Sequence, residues 1–121
     1  MSSPTDRPAG AICRLTDLED GEGRRLRGPA GELFVVRQGR RAYAYDNRCP
    51  HEGKRLDKVR NRFMTFDGRH IKCAHHGAIF RIEDGAGLGT PCFGQSLTAW
   101  KTTVISGWVV IDRKAGHSIV E

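Results

Sequence analysis

The stretch Leu33-Phe34-Val35-Val36-Arg37-Gln38-Gly39-Arg40-Arg41-Ala42-Tyr43-Ala44-Tyr45 decides how the chain folds. Leu33 to Arg37 is short, apolar and β-branched, as a strand should be. Ala42 to Tyr45 has the same character. Gln38-Gly39-Arg40-Arg41 supplies a glycine-containing turn between them, so 33–45 reads as a β-hairpin. Asp46-Asn47-Arg48 leaves the sheet and leads into a loop that carries Cys49.

Outward from the hairpin the same style continues. Ala11 to Leu18 alternates weakly and reads as a first strand, while residues 19–32, rich in glycine and charge, read as loop. Arg69-His70-Ile71-Lys72 and Ala78-Ile79-Phe80-Arg81-Ile82 alternate like strands, and Glu83-Asp84-Gly85 closes the second with a turn. Residues 85–94 hold four glycines and a proline, which argues against regular structure. Leu97–Val104 and Trp108–Ile111 form a last pair of strands around Ile105-Ser106-Gly107. Short strands at regular intervals, with almost no helical periodicity, predict an all-β barrel or sandwich.

The 121 residues suit one domain, expected over 10–113 with tails at 1–9 and 114–121. No run of 18 apolar residues exists and the N-terminus lacks a signal-peptide core, so the expectation is a cytoplasmic protein without a membrane anchor. The four cysteines, Cys13, Cys49, Cys73 and Cys92, are spaced too widely for the usual zinc pairs of the C-x2-C type. A metal site therefore has to recruit histidine.

Two loops supply it. Cys49-Pro50-His51 is a C-x-H, and Cys73-Ala74-His75-His76 is a C-x-x-H with a second histidine, His75, inside it. Thiolates are soft donors and imidazole is a weaker one, so two cysteines and two histidines can divide between two iron atoms. The same four residues would also satisfy one tetrahedral zinc ion. A Cys2His2 structural zinc module for interactions is thus the reading from a different functional class.

These loops resemble the Rieske iron–sulfur family, whose motif is a C-x-H, a spacer of similar length, and a C-x-x-H. The likeness extends to Gly53 after the first pair, Gly77 after the second, the strand ending in Arg81-Ile82, and Pro91-Cys92 before the Leu97 strand. It implies one 2Fe–2S cluster held by Cys49, His51, Cys73 and His76, on a cluster-binding subdomain of about 46–84 carried by a base of antiparallel strands. It also implies a one-electron carrier rather than an enzyme. Rieske centres have potentials of about −150 to +300 mV, against about −400 mV for plant-type ferredoxins. By the same likeness His51 and His76 sit at a solvent-facing tip where a partner docks.

Departures from relatives refine this. Rieske proteins of respiratory complexes carry a membrane anchor, a disulfide between the loops, and Ser and Tyr hydroxyls where Ala78 and Phe80 stand here. Fewer hydrogen-bond donors toward the sulfurs imply a potential at the low end of the range. Rieske oxygenases add a catalytic domain for which 121 residues leave no room. The resemblance is therefore to a small Rieske-type ferredoxin serving an oxygenase or reductase, or to the small Rieske subunit of a reductase complex.

The formal net charge is +6, and Arg48 to Lys72 holds eight basic residues against three acids, a surplus of five. That stretch reads either as a solvated loop or as a collar for an acidic redox partner, with Lys54, Arg55 and Lys58 as its candidates. Nucleic acid is not expected, because no recognition helix or aromatic-interleaved basic strand is present. Phe63 and Phe66 are expected to cover the base of the cluster site, and Trp100 and Trp108 to pack in or over a sheet. Cys13 and Cys92 are expected to be ordinary thiols. A monomer is the default expectation.

Overall fold

The hairpin forms as expected and lies at the centre of the molecule. In the computed structural model, which describes residues 7–28, 31–50, 53–75, 77–89 and 94–114, β3 (Gly31–Gln38) pairs antiparallel with β4 (Arg41–Asp46). Leu33, Phe34, Val35 and Val36 are all buried, which explains the unbroken apolar run: both faces of this strand are covered. Phe34, Val36 and Tyr45 face one core, and Leu33, Val35, Ala42 and Ala44 face another.

The second core is enclosed by a six-stranded sheet of order β1-β9-β8-β4-β3-β2, with β1 at Ala11–Arg14, β2 at Gly23–Gly28, β8 at Ala99–Ile105 and β9 at Trp108–Lys114. The sheet curls so that Cys13, Val109 and Ile111 meet Val35 and Ala44 inside it, giving an open, near-barrel shape. Ser106 (φ +50°) and Gly107 (φ +83°) make a two-residue turn between β8 and β9, whose double positive φ matches the strand twist. Trp100 packs against this core and donates from Nε1 to the Asp46 carboxylate (2.7 Å). The Trp108 ring lies under the guanidinium groups of Arg14 and Arg7, at 4.3 and 5.1 Å.

A three-stranded sheet, β5 (His70–Lys72), β6 (Ile79–Arg81) and β7 (Gly87–Leu88), sits on the other core. Phe63 stacks on Phe34 with ring centroids 4.3 Å apart and planes 9° from parallel, joining the second unit to the base sheet. The Tyr45 hydroxyl donates to the Ile82 carbonyl and adds a polar tie.

Three expectations are corrected. Residues 19–32 are not simply loop, because Gly23–Gly28 forms β2 as an edge strand; its three arginines hide the alternation. Residues 85–94 do include a strand: Gly87 and Leu88 pair with Phe80 and Ile79, and two residues are too few to show a period. Phe66 covers nothing and stands wholly exposed on the Thr65–His70 turn, whereas Phe63 is buried with the cysteines.

Candidate metal centre

Cys49 leaves the end of β4 and Cys73 the end of β5, so each ligand loop starts where a strand runs out. Both side chains are buried, each 1% exposed, in one apolar cluster with Leu56, Phe63, Ile71, Ala78 and Phe80. These side chains exclude water from the thiols. Their residue types were chosen by the hydrophobic pattern, and their convergence follows from packing the three-stranded sheet on Phe34 and Tyr45.

The two loops close in the same way. The Cys49 N–H donates to the Lys54 carbonyl (2.7 Å), and the Gly53 N–H donates to the Cys49 carbonyl (2.6 Å). The Cys73 N–H donates to the Ala78 carbonyl (2.8 Å), and the Gly77 N–H donates to the Cys73 carbonyl (2.8 Å). Gly53 (φ +74°) and Gly77 (φ +71°) both take the left-handed conformation that this closure requires. Among the described residues a Cβ on either would meet nothing within 4 Å, so conformation rather than space selects glycine. A bond from the Ala74 N–H to the Leu56 carbonyl (2.8 Å) ties one loop to the other.

Beneath the first loop lies a polar network with no local signature in the sequence. Asn47 accepts from the Leu56 N–H (2.9 Å) and donates to Asp57 (3.1 Å) and Glu32 (3.3 Å). Asp57, whose side chain is fully buried, also accepts from the Asn61 N–H (3.0 Å) and faces Arg25 Nε at 3.6 Å. That Nε is buried without a hydrogen bond, so Arg25 holds its place as an ion-pair partner of Asp57 and Glu32. The network pins residues 47 and 56–57, on either side of Cys49 and its loop.

Other candidate residues fall as follows. His51 and His76, and also Cys92, lie outside the described residues. His75 is half-buried beside Cys73, and His70 sits on β5. Among the described residues no group of three or more His, Cys, Asp or Glu side chains is placed to hold a metal, so the described part of the site is its pair of thiols. Lys54, Arg55 and Lys58 are exposed, but Arg55 is already paired with Glu32 (2.6 Å). Cys13 lies in the other core, where burial first and the Asp17 charge second push its thiol up to about 11. Among the described residues no helix is long and apolar enough to cross a membrane.

The family model for the Rieske [2Fe-2S] domain matches residues 9–106, which include both loops and every strand but β9. The chain belongs to the Rieske [2Fe-2S] domain family. Among curated relatives, this Rieske domain is 36% identical over 83 residues to human apoptosis-inducing factor 3, a match that covers 69% of the chain but 13% of that protein. It is 34% identical over 77 residues to the ferredoxin component of the alkene monooxygenase system of Xanthobacter autotrophicus (strain ATCC BAA-1158 / Py2), covering 64% of the chain and 60% of that protein. The chain thus spans less than two thirds of the length of these relatives. Among solved structures it is similar to the ferredoxin of carbazole 1,9a-dioxygenase from Nocardioides aromaticivorans IC177, with a TM-score of 0.73 and 25% identity over 86% of this chain and 96% of that one.

A Rieske domain carries a 2Fe–2S cluster. The described residues fit it: two water-shielded cysteines on loops of matched backbone shape supply the soft sulfur donors that iron takes.

Proposed function

We propose that this Rieske domain is a ferredoxin-type one-electron carrier, with Cys49 and Cys73 holding one iron and His51 and His76 the other. The single observation that supports this most is the twin closure of the two cysteine loops over one apolar core. The bound cluster supplies a site that takes up and returns one electron. The protein does the rest. Leu56, Phe63 and Phe80 keep water from the thiols, Gly53 and Gly77 hold the loop bends, and the Asn47–Asp57 network fixes the first loop to the base.

The relatives' names supply the class of partner. One is a component of a monooxygenase system and another is the ferredoxin of a dioxygenase, so the acceptor here is read as an oxygenase or a reductase. No residue is assigned a catalytic role. The cluster-binding unit is taken as about 46–84. Cys13, buried in the core of the base sheet and not in a disulfide, favours a reducing compartment such as the cytoplasm. Ala78 and Phe80, both buried in the core with the two cysteines, offer no hydroxyl to the sulfurs, which favours a potential low in the Rieske range.

Low-temperature electron paramagnetic resonance of the dithionite-reduced protein tests the assignment. A rhombic signal with average g below that of all-cysteine 2Fe–2S proteins is expected. Stoichiometric zinc, with no cluster signal after reconstitution with iron and sulfide, would replace the carrier by a zinc module.

A further inference from the structure

The outer edge of β2 borders a groove of about 460 Å³ that lies between the base sheet and the first ligand loop. Five arginines line it, Arg24, Arg25 and Arg27 from β2 and Arg55 and Arg60 from the loop, against the single carboxylate of Glu32. Glu32 and the buried Asp57 balance Arg25 and Arg55. Among the described residues the other three arginines are not balanced by a carboxylate. Arg24 donates from Nη1 to the Asp17 carbonyl (3.1 Å), and among the described residues Arg27 and Arg60 have no carboxylate in ion-pair range. All three are exposed.

We propose that this groove seats an acidic, extended segment of the protein that exchanges electrons with the domain. The proposal rests on the carrier reading and moves the docking surface from the lysines of the loop to the arginines of the sheet edge. Three features select the occupant. Four consecutive residues of an edge strand, Arg24 to Arg27, form one wall, so the site is linear. Planar guanidinium groups bind carboxylates in paired, directional hydrogen bonds. Among the described residues no aromatic side chain lines the groove, and Glu32 is part of its lining, which disfavours a nucleic acid strand that needs stacking surfaces. Arg55 stands between Lys54, whose carbonyl closes the Cys49 loop, and Leu56, so a segment seated here lies one residue from the cluster loop.

The test measures fluorescence anisotropy of a labelled octaglutamate peptide against the cluster-loaded, full-length protein. At low ionic strength the wild type is expected to bind, and binding should vanish at about 1 M salt, where charges are screened beyond about 3 Å. The triple variant R24E/R27E/R60E is expected to bind at least about tenfold more weakly, while K54E/K58E stays within about twofold of wild type. Amide shifts on peptide addition should fall on Arg24 to Arg27 and on residues 55–61. The opposite pattern, with K54E/K58E defective and the arginine variant normal, overturns the proposal, as does absence of binding or preferential binding of an oligonucleotide of equal charge. The resonance signal of the reduced cluster is recorded on each sample, so failure of the carrier reading is seen separately from failure of the groove.

Discussion

Replacing Asp57 by alanine should loosen the first ligand loop and cost about 3–5 kcal/mol, the range for breaking a buried ion pair from one side. The geometry sets that figure. The Asp57 side chain is fully buried, accepts from Asn47 Nδ2 at 3.1 Å and from the Asn61 N–H at 3.0 Å, and faces Arg25 Nε as an ion-pair partner at 3.6 Å. Two of these would lose a hydrogen bond, at about 1–3 kcal/mol each when left unpaired in the interior. The guanidinium would keep only Glu32, at 3.5 Å. These contributions overlap, so the ion-pair range stands for the total. A domain of this size has roughly 5–15 kcal/mol in all, so the loss is a large share of its stability. Urea unfolding followed by circular dichroism, with cluster absorbance read in the same titration, is the assay. With a slope of roughly 2 kcal/mol per molar, the midpoint should fall by about 2 M, and bleaching of the cluster should precede global unfolding. The double variant Arg25→Met, Asp57→Leu should recover much of the loss, because it removes both charges together. A fall of less than about 0.5 M for Asp57→Ala would refute the argument that the pair is desolvated and anchors the loop.

Other outcomes follow from single features. Gly85→Ala should destabilise far more than Gly53→Ala: both sit at positive φ, costing roughly 1–3 kcal/mol, but only at Gly85 would the Cβ also come within 2.8 Å of the Tyr45 ring, as thermal unfolding will show. Cys13 should resist iodoacetamide at pH 8 in the folded protein and react on denaturation, by mass spectrometry. Because burial raises its folded pKa from 9.0 to about 11, the native state keeps a proton that the unfolded chain releases, so this thiol should lower stability as pH rises from 9.0 towards 11, and Cys13→Ser should flatten that fall. Ala78→Ser should raise the reduction potential in voltammetry by adding a hydroxyl donor among the groups around Cys73; an unchanged or lower value would count against hydrogen-bond control of the potential.

The central hairpin was legible because both faces of β3 are buried, which writes four apolar residues in a row. The ligand loops were legible because their residue types and spacing are local. The shared glycine four residues after each cysteine, at 53 and 77, was a readable sign of the twin closure. β2 escaped because an edge strand needs few apolar residues, and Arg-Arg-Leu-Arg between glycines looks like a solvated loop. The Asn47–Asp57–Arg25–Glu32 network escaped for a different reason. Its members come from β2, β3 and the loop, and they meet only once tertiary packing, including that of Phe63 on Phe34, brings that loop against the sheet edge. The exposure of Phe66 was equally hidden, since two phenylalanines three apart carry no mark of which one faces inward.

The arginines of β2 also bear on what the sheet refuses. An edge strand is open to pairing with another copy of itself, the usual first step of sheet-to-sheet aggregation. Two β2 strands laid side by side would bring the exposed guanidinium groups of Arg24 and Arg27 near those of the other copy, like charge against like. Crowded copies of this domain should thus repel along that edge while leaving it open to a carboxylate-bearing chain.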